Sequence, residues 1–238
     1  MTYSISCEVH THTIVSGHAF GTIREMAQAA AEKGESLLGF AEHAPGIQGT
    51  CHPIYFGGYD SLPRELYGVE ILGGSEINVL NDGTLSLPER YLKYLDYGIV
   101  GIHRNCYEDA GREGNTDNLI SCMKNPKIFF VSHPDDDKTP LNYERLVPAA
   151  KENHVALELN NSSLRRPQNR LNCFENYKTM LPLCQRLGCP ILVSTDAHDP
   201  SEVGDFRLAQ ALLEELHCDP ELIVTRNKER RKAFLGLR

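Results

Sequence analysis

The chain has 238 residues, of which 41% are hydrophobic and 24% are charged, the composition of an ordinary soluble globular protein. Its net charge of −8 argues against broad non-specific nucleic-acid binding, which needs a positive surface. The longest apolar runs are far shorter than a membrane span, and the length allows one or two domains.

Strands and helices alternate along the chain. Strands are predicted at 3–9, 37–42, 70–79, 97–102, 127–132, 154–160 and 190–195. The main helices are predicted at 22–33, 115–124, 143–153, 173–187, 205–217 and 227–235. Such alternation indicates a parallel sheet, which either closes as a barrel or stays open and doubly wound. The first strand has no G-x-G-x-x-G after it, so a dinucleotide-binding fold loses its main support.

Two local patterns complete this outline. Thr22 and Glu25 form the capping box that begins the first predicted helix. Residues 44–68 are rich in Gly and Pro and are predicted to form a long loop with a short helix near 62–67.

The eight cysteines are scattered and include no C-x-x-C pair. The N-terminal residues are polar and do not resemble a signal segment. We therefore expect reduced thiols and a cytoplasmic protein.

His10 and His12 lie two residues apart, so on a strand both imidazoles point to one face. Taken alone, such a pair is more often two surface histidines than a metal site. The other strands change this interpretation, because each delivers a polar residue at its carboxyl end. These residues are His10, His12, His18, His43, Glu76, His103, His133, Asn160, Asp196 and His198. Active sites of parallel βα folds lie at that end, so the pattern predicts a metal centre there.

Leaving Asn160 aside, nine candidate ligands suit three metal ions, or two ions with supporting residues. Histidines and carboxylates without cysteine favour Zn²⁺, with Mn²⁺ or Fe²⁺ as competitors. A carboxylate such as Glu76 could bridge two ions. Closely paired ions suit attack by a bridging hydroxide on phosphorus, with the metals stabilising the phosphoryl oxygens.

Six short motifs, spread over nearly the whole chain, carry a family resemblance. They are Glu-Val-His-Thr-His at 8–12, Ala-Glu-His at 41–43, Gly-Ser-Glu at 74–76, Gly-Ile-His at 101–103, Ser-His-Pro at 132–134 and Ser-Thr-Asp-Ala-His at 194–198. Together they resemble the polymerase and histidinol phosphatase (PHP) superfamily, and their spacing is most similar to its YcdX-like branch of small phosphatases.

The resemblance implies one domain over 1–238, an α/β fold with a distorted, TIM-like (β/α)7 barrel, and a trinuclear zinc site. It also implies a phosphatase that hydrolyses a small-molecule phosphate monoester, and a homo-oligomer, with trimers in the similar branch. By motif, one ion would take His10, His12, Glu76 and Asp196, a second Glu76, His103 and His133, and a third His18, His43 and His198. The attacking hydroxide would be held by Glu76, Asp196, His10 and His133.

Glu8 is the one departure from the family pattern, which usually has Asp at this position. We expect Glu8 to orient a ligand histidine through a hydrogen bond. The additional methylene puts that contact in question, while the metal ligands themselves are unaffected.

Arginines near the expected site are candidates for binding phosphate. Arg104 follows His103, and Arg165 and Arg166 lie with Arg170 in the loop after the sixth strand. The alternative for each is a solvated loop charge. The acidic run at 135–137 is expected to be solvated, although one of its members could serve as a general acid.

Three rivals to a small-molecule phosphatase remain open. A histidinol-phosphate phosphatase would need a pocket for an imidazole and an amine. A PHP-type nuclease is disfavoured by the acidic charge and the short length. A non-catalytic metal-binding regulatory domain would be indicated by a degenerate ligand set, whereas this set is complete.

Overall fold

A computed structural model describes residues 3–237. Its strands are β1 (Cys7–Thr11), β2 (Leu37–His43), β3 (Glu65–Leu66), β4 (Val69–Asn78), β5 (Tyr97–Gly101), β6 (Ile128–Val131), β7 (Ala156–Asn160) and β8 (Ile191–Ser194). Its α-helices are α1 (Ile23–Glu32), α2 (Ile54–Gly57), α3 (Glu89–Leu92), α4 (Gly111–Met123), α5 (Tyr143–Glu152), α6 (Asn161–Arg165), α7 (Cys173–Leu187), α8 (Arg207–Glu215) and α9 (Lys228–Leu235).

Seven parallel strands form a nearly closed barrel in the order β1-β2-β4-β5-β6-β7-β8. The two edge strands approach each other just beyond their carboxyl ends, where the amide of His12 donates to the carbonyl of Ala197 at 2.9 Å. Thr11 and Ala197 form a parallel bridge at the same point. The distorted TIM-like barrel is therefore confirmed, and the open doubly wound alternative is excluded.

The capping box of α1 forms as its sequence predicts. The Thr22 side chain accepts from the amide of Glu25, and the Glu25 carboxylate accepts from the amide of Thr22. Met26, Ala27 and Ala30 then bury one face of the helix against the barrel. Glu25 lies in the first turn, where its negative charge interacts favourably with the positive end of the helix dipole.

The prediction of a short helix near 62–67 was wrong. Residues 65–66 form β3, which pairs antiparallel with β4 across a hairpin. The two turn residues, Tyr67 and Gly68, have φ values of 53° and 81°. Positive φ at both central positions is the geometry of tight hairpin turns and is incompatible with a helix. The helical turns of this segment come earlier, in α2 and at 58–61.

The interior of the barrel is filled by apolar side chains and closed at its amino-terminal end by α9. Tyr97 crosses the interior and donates its hydroxyl to the carbonyl of Val9 at 2.6 Å. A Cβ on Gly74 would lie 2.5 Å from the Tyr97 ring, so only glycine leaves room for it. From α9, the fully buried guanidinium of Arg231 stacks over the rings of Phe130 and Tyr97, at 4.5 and 5.2 Å.

Over residues 3–237, the helices are too short or too polar for any of them to cross a bilayer. All eight cysteines are free thiols, and six of them are buried.

Candidate metal centre

Glu76, on β4, is the buried carboxylate around which the predicted ligands gather. Its Oε1 atom lies 2.8 Å from Nε2 of His133 and 3.3 Å from Nε2 of His103. Its Oε2 atom faces a different group, at 2.9 Å from Nδ1 of His43, 3.4 Å from Nε2 of His10 and 3.6 Å from Nε2 of His12. The two oxygens of one side chain therefore lie close to two different sets of imidazoles.

Asp196 provides a second carboxylate on the far side of His10 and His12. Its Oδ1 atom lies 3.2 Å from Nε2 of His12, 3.6 Å from Nε2 of His10 and 3.5 Å from Nδ1 of His198. His198 in turn places its Nε2 atom 3.1 Å from Nε2 of His18. All nine predicted ligands thus meet at the carboxyl ends of the strands.

The donor atoms fit divalent metal ions. Several are buried and close to one another, yet they are not aligned for hydrogen bonds within residues 3–237, namely His10 Nε2, His12 Nε2, His43 Nδ1 and Glu76 Oε2. Leaving buried polar atoms without partners costs free energy, so a cluster of them indicates a ligand. Three groups can each surround one ion: His12, His43 and His198; His10, His12 and Glu76; His43, Glu76 and His103. The groups overlap, so the division of the nine residues into three ligand sets stays a prediction.

The charges of the cluster favour ionised carboxylates. Burial opposes ionisation of Glu76, but the imidazoles of His103, His10 and His43 outweigh it and hold the Glu76 pKa well below its usual value. Burial together with the neighbouring His43 and His198 holds the pKa of His12 well below its usual value. A neutral His12 has a lone pair available for a metal ion.

Glu158, on β7, is a supporting carboxylate that the sequence analysis missed. Its Oε1 atom lies 2.5 Å from Nδ1 of His10 and also accepts from the hydroxyl of Ser194. Its Oε2 atom accepts from the amide of His133 at 2.5 Å and from Asn160 at 3.1 Å. Glu158 thus orients one predicted ligand through its ring and a second through its backbone.

A second supporting chain runs from His12 through a hydroxyl to Glu42. Nδ1 of His12 lies 3.0 Å from the hydroxyl of Ser16, which donates to Glu42 at 2.6 Å. Thr13 donates its hydroxyl to the same carboxylate at 2.6 Å. The sequence signal for both supporting carboxylates was a glutamate within an otherwise apolar strand.

Glu8 is buried beside β8 and contacts backbone amides. One oxygen accepts from the amide of His10 at 3.0 Å, and the other accepts from the amide of Thr195 at 2.8 Å and from the Thr195 hydroxyl. It therefore contacts the backbone of a predicted ligand, whereas the imidazole of His10 is oriented by Glu158. Burial raises the pKa of Glu8 to about 7, opposed by these hydrogen bonds.

Two predicted ligands have backbones in the left-handed region. His133 has a φ of 29° and Asp196 a φ of 51°. Such conformations are uncommon outside glycine and tend to occur where function constrains the chain. At both positions a strand ends and the turn directs the side chain into the cluster.

Among the described arginines, Arg170 is the one that lines the pocket over the cluster. Its Nη1 atom lies 3.0 Å from Nδ1 of His133. Arg165 and Arg166 instead form ion pairs with Glu202, whose other oxygen accepts from the amide of His198 at 3.2 Å. The Arg104 side chain is exposed at the surface.

The expectation of a solvated acidic run at 135–137 was wrong for Asp135, which is fully buried. Burial raises the pKa of this carboxyl to about 7, against the opposing charge of Arg170. Asp136 and Asp137 accept hydrogen bonds from Leu171 and Asn172, which tie this segment to the loop that carries Arg170.

A pocket of about 500 Å³ opens directly over the cluster. Its walls are His18, His43, Ile47, Gln48, Glu76, His103, Asn105, His133, Arg170, Asp196 and His198. This size is in the range of small-molecule sites.

No known family model matches the chain. Curated relatives, however, match it over nearly its full length. A protein of Clostridium acetobutylicum named a probable phosphatase is 36% identical over 229 residues, which cover 96% of this chain and 93% of that protein. A probable phosphatase of Acetivibrio thermocellus is 37% identical over 94% of this chain and 92% of its own.

The chain belongs to this family of phosphatases. Among solved structures, the phosphatase resembles the histidinol phosphate phosphatase of Lactococcus lactis, determined with zinc, L-histidinol and phosphate. The TM-score is 0.63 at 18% identity, over 90% of this chain and 94% of that one, which supports the same barrel fold. The curated relatives thus identify a phosphatase, and its His and Glu clusters could hold metal ions.

Proposed function

We propose that this phosphatase hydrolyses small-molecule phosphate monoesters with three divalent metal ions, as in the YcdX-like branch. Zn²⁺ is favoured over Mn²⁺ or Fe²⁺. The observation that carries the proposal is Glu76, a buried carboxylate whose two oxygens face two separate sets of imidazoles. Neutral imidazoles with few carboxylates and no thiolate are the donor set that Zn²⁺ prefers.

The nine residues would hold the ions in three sets. One set is His10, His12, Glu76 and Asp196, the second is Glu76, His103 and His133, and the third is His18, His43 and His198. When bound, such ions activate water for in-line attack on phosphorus and stabilise the charge on the phosphoryl oxygens.

The chain's own residues orient the ester. Arg170 stands beside His133, where its guanidinium can donate to a phosphate oxygen. Asp136 holds the Arg170 loop through its bond to the amide of Leu171 at 2.9 Å. Glu158 and the Ser16–Glu42 chain fix the imidazoles of His10 and His12.

The same residues disfavour a nuclease. Arg170 is the one arginine among the described residues that line the pocket, because Arg165 and Arg166 pair with Glu202 outside that lining. A polynucleotide would need several cations along its backbone, and the net charge is −8.

The test combines metal analysis with phosphate release from a panel of phosphomonoesters after loading with Zn²⁺ or Mn²⁺. We expect about three bound ions per chain and hydrolysis of at least one monoester. Less than one ion per chain together with no hydrolysis would overturn the proposal.

His12→Ala should abolish most of this activity and lower the metal content while circular dichroism stays that of the native barrel, because His12 faces both carboxylates. The control is His217→Asn, at an exposed histidine with a φ of 49°, a conformation that Asn tolerates. Unchanged turnover in His12→Ala would contradict the assigned site.

A further inference from the structure

Beyond the proposed ligands and Arg170, the described residues of the pocket wall are uncharged. Its remaining residues are Ile47 and Gln48, from the loop after β2, and Asn105, from the loop after β5. Gln48 and Asn105 are both exposed, so their amide groups are available to a ligand.

The two loops pack against each other. A Cβ on Gly46, whose φ is 125°, would lie 3.2 Å from both Cβ of Cys106 and Nδ2 of Asn78. Asn78 in turn donates to the carbonyl of Pro45 at 2.9 Å. These contacts join the two loops that carry Gln48 and Asn105, which we call the rim, whereas Arg170 comes from the segment between α6 and α7.

The uncharged rim argues against a cationic leaving group. The carboxylates that line the pocket are Glu76 and Asp196, and both face imidazoles of the cluster. A protonated amine held at the rim would find no carboxylate there to pair with, so it would gain no ion pair from the described pocket wall.

The rim also lacks a surface for a nucleobase. Among the described residues, the pocket wall contains no Phe, Tyr or Trp on which a base could stack. Amide groups instead donate and accept hydrogen bonds at once, which matches the hydroxyls of a neutral alcohol. The volume of about 500 Å³ leaves room for a leaving group beside the phosphate.

We propose that the substrate is the phosphate monoester of a neutral, polyhydroxylated alcohol, a sugar or polyol phosphate, with its phosphate toward Arg170 and its hydroxyls against Gln48 and Asn105. The inference rests on the proposed phosphomonoesterase function. In the reaction, the oxygen of water bonds to phosphorus and the bond from phosphorus to the alcohol oxygen breaks. The alcohol leaves with a proton from that water, and inorganic phosphate remains.

The test measures kcat/KM of the metal-loaded enzyme for four esters: a hexose phosphate, glycerol phosphate, histidinol phosphate and a nucleoside monophosphate. p-Nitrophenyl phosphate serves as the generic ester. We expect kcat/KM for the better of the first two to exceed that for histidinol phosphate and the nucleotide by about 10-fold or more. The reason is that its hydroxyls gain hydrogen bonds to the neutral amides of Gln48 and Asn105.

Variants at the rim test the contacts themselves. Gln48→Leu and Asn105→Leu should each lower kcat/KM for the sugar or polyol ester about 5-fold relative to that for p-nitrophenyl phosphate. Gln48→Glu should raise kcat/KM for histidinol phosphate about 3-fold relative to the sugar ester, because it supplies a carboxylate at an exposed position. Gln28→Leu, at an exposed position of α1, is the matched control and should behave as the wild type.

Two outcomes overturn the inference and are distinguishable. If the enzyme cleaves p-nitrophenyl phosphate but prefers histidinol phosphate or the nucleotide, the substrate class is wrong and the phosphomonoesterase proposal stands. If the metal-loaded protein cleaves none of the five esters, both proposals fall together.

Discussion

Glu158 joins predicted ligands that come from different strands of the barrel. It contacts the ring of His10 and the backbone of His133, and through Asn160 it is connected to Asp196, whose Oδ2 accepts from the same amide at 3.1 Å. The carboxylate stays ionised, since burial is outweighed by His10, and its pKa lies below the usual value. Its negative charge raises the basicity of the imidazole that it orients.

Glu158→Gln should therefore weaken metal binding by about 10- to 100-fold while the barrel remains folded, because outer carboxylates tune the ligands they contact. A chromophoric chelator in competition measures the affinity, and urea unfolding reports the fold. Glu152→Gln, exposed near the end of α5, is the matched control. Equal affinities in the two variants would contradict the role of Glu158.

Residue types at strand ends revealed the ligand cluster, but not the carboxylates that orient the ligands. His10 and Glu76 could be found because histidine and glutamate are rare in buried strands without a purpose. The link between Glu158 and His10 joins residues 148 positions apart, and no local pattern specifies it. Likewise, Arg170 and Arg166 look alike in sequence, but in the structure Arg166 pairs with Glu202 and Arg170 contacts His133.

At the scale of elements, Glu35 is the buried carboxyl between α1 and β2. It is 7% exposed, and within the described chain its Oε2 atom has no hydrogen-bond partner. Burial, with the nearby Glu8, raises its pKa to about 8, and Lys33 only partly opposes this. The fold therefore favours the protonated carboxyl. That contribution to stability is complete below the usual pKa, near 4.5, and is lost as the pH rises through about 8.

Glu35→Gln stays neutral at every pH and should gain stability relative to the wild type between about pH 4.5 and 8. The expected gain in the free energy of unfolding is about 2–5 kcal/mol. Urea unfolding at pH 5 and pH 8.5 measures it, with Glu32→Gln, exposed on α1, as the control. The same difference from wild type at both values of pH would show that Glu35 is not buried as a protonated acid.

The elements themselves were predictable where periodicity and caps agreed. The helix at 173–187 matches α7 because Gly188 ends it in the left-handed conformation, with a φ of 69°. The β3 hairpin was missed because its strand is only two residues long and its turn places Tyr67, a bulky residue, at positive φ. Nothing in the local composition favours that geometry; pairing with β4 imposes it.

At the scale of the molecule, the charged side chain of Arg231 on α9 is buried at the end of the barrel that α9 covers. Within residues 3–237 none of its guanidinium nitrogens donates a hydrogen bond, and its contacts are the faces of Phe130 and Tyr97. Burial lowers its pKa to about 10, so it stays charged near neutral pH. Cation–π attraction offsets part of the desolvation, whose cost for a buried ion is several kcal/mol.

Arg231→Met should therefore leave the protein as stable or more stable, by up to about 3 kcal/mol, since Met fills a similar volume without a charge. Arg231→Ala should lose about 2–4 kcal/mol because it leaves a cavity. Denaturant unfolding measures both. A loss in Arg231→Met as large as in Arg231→Ala would mean that the ring contacts outweigh desolvation.

The seam between β1 and β8 joins parts of the chain that are far apart in sequence, so we expect it to form late in folding. Glu8 bonds Thr195 across 187 positions of the chain, whereas the strands between them pair with near neighbours in sequence. Contacts of such separation are slow to form, since the loop that they close must first lose its entropy. The proposed ion between His10 and Asp196 would bridge this same seam. Binding of that ion would then stabilise the contact between β1 and β8 and slow the first step of unfolding.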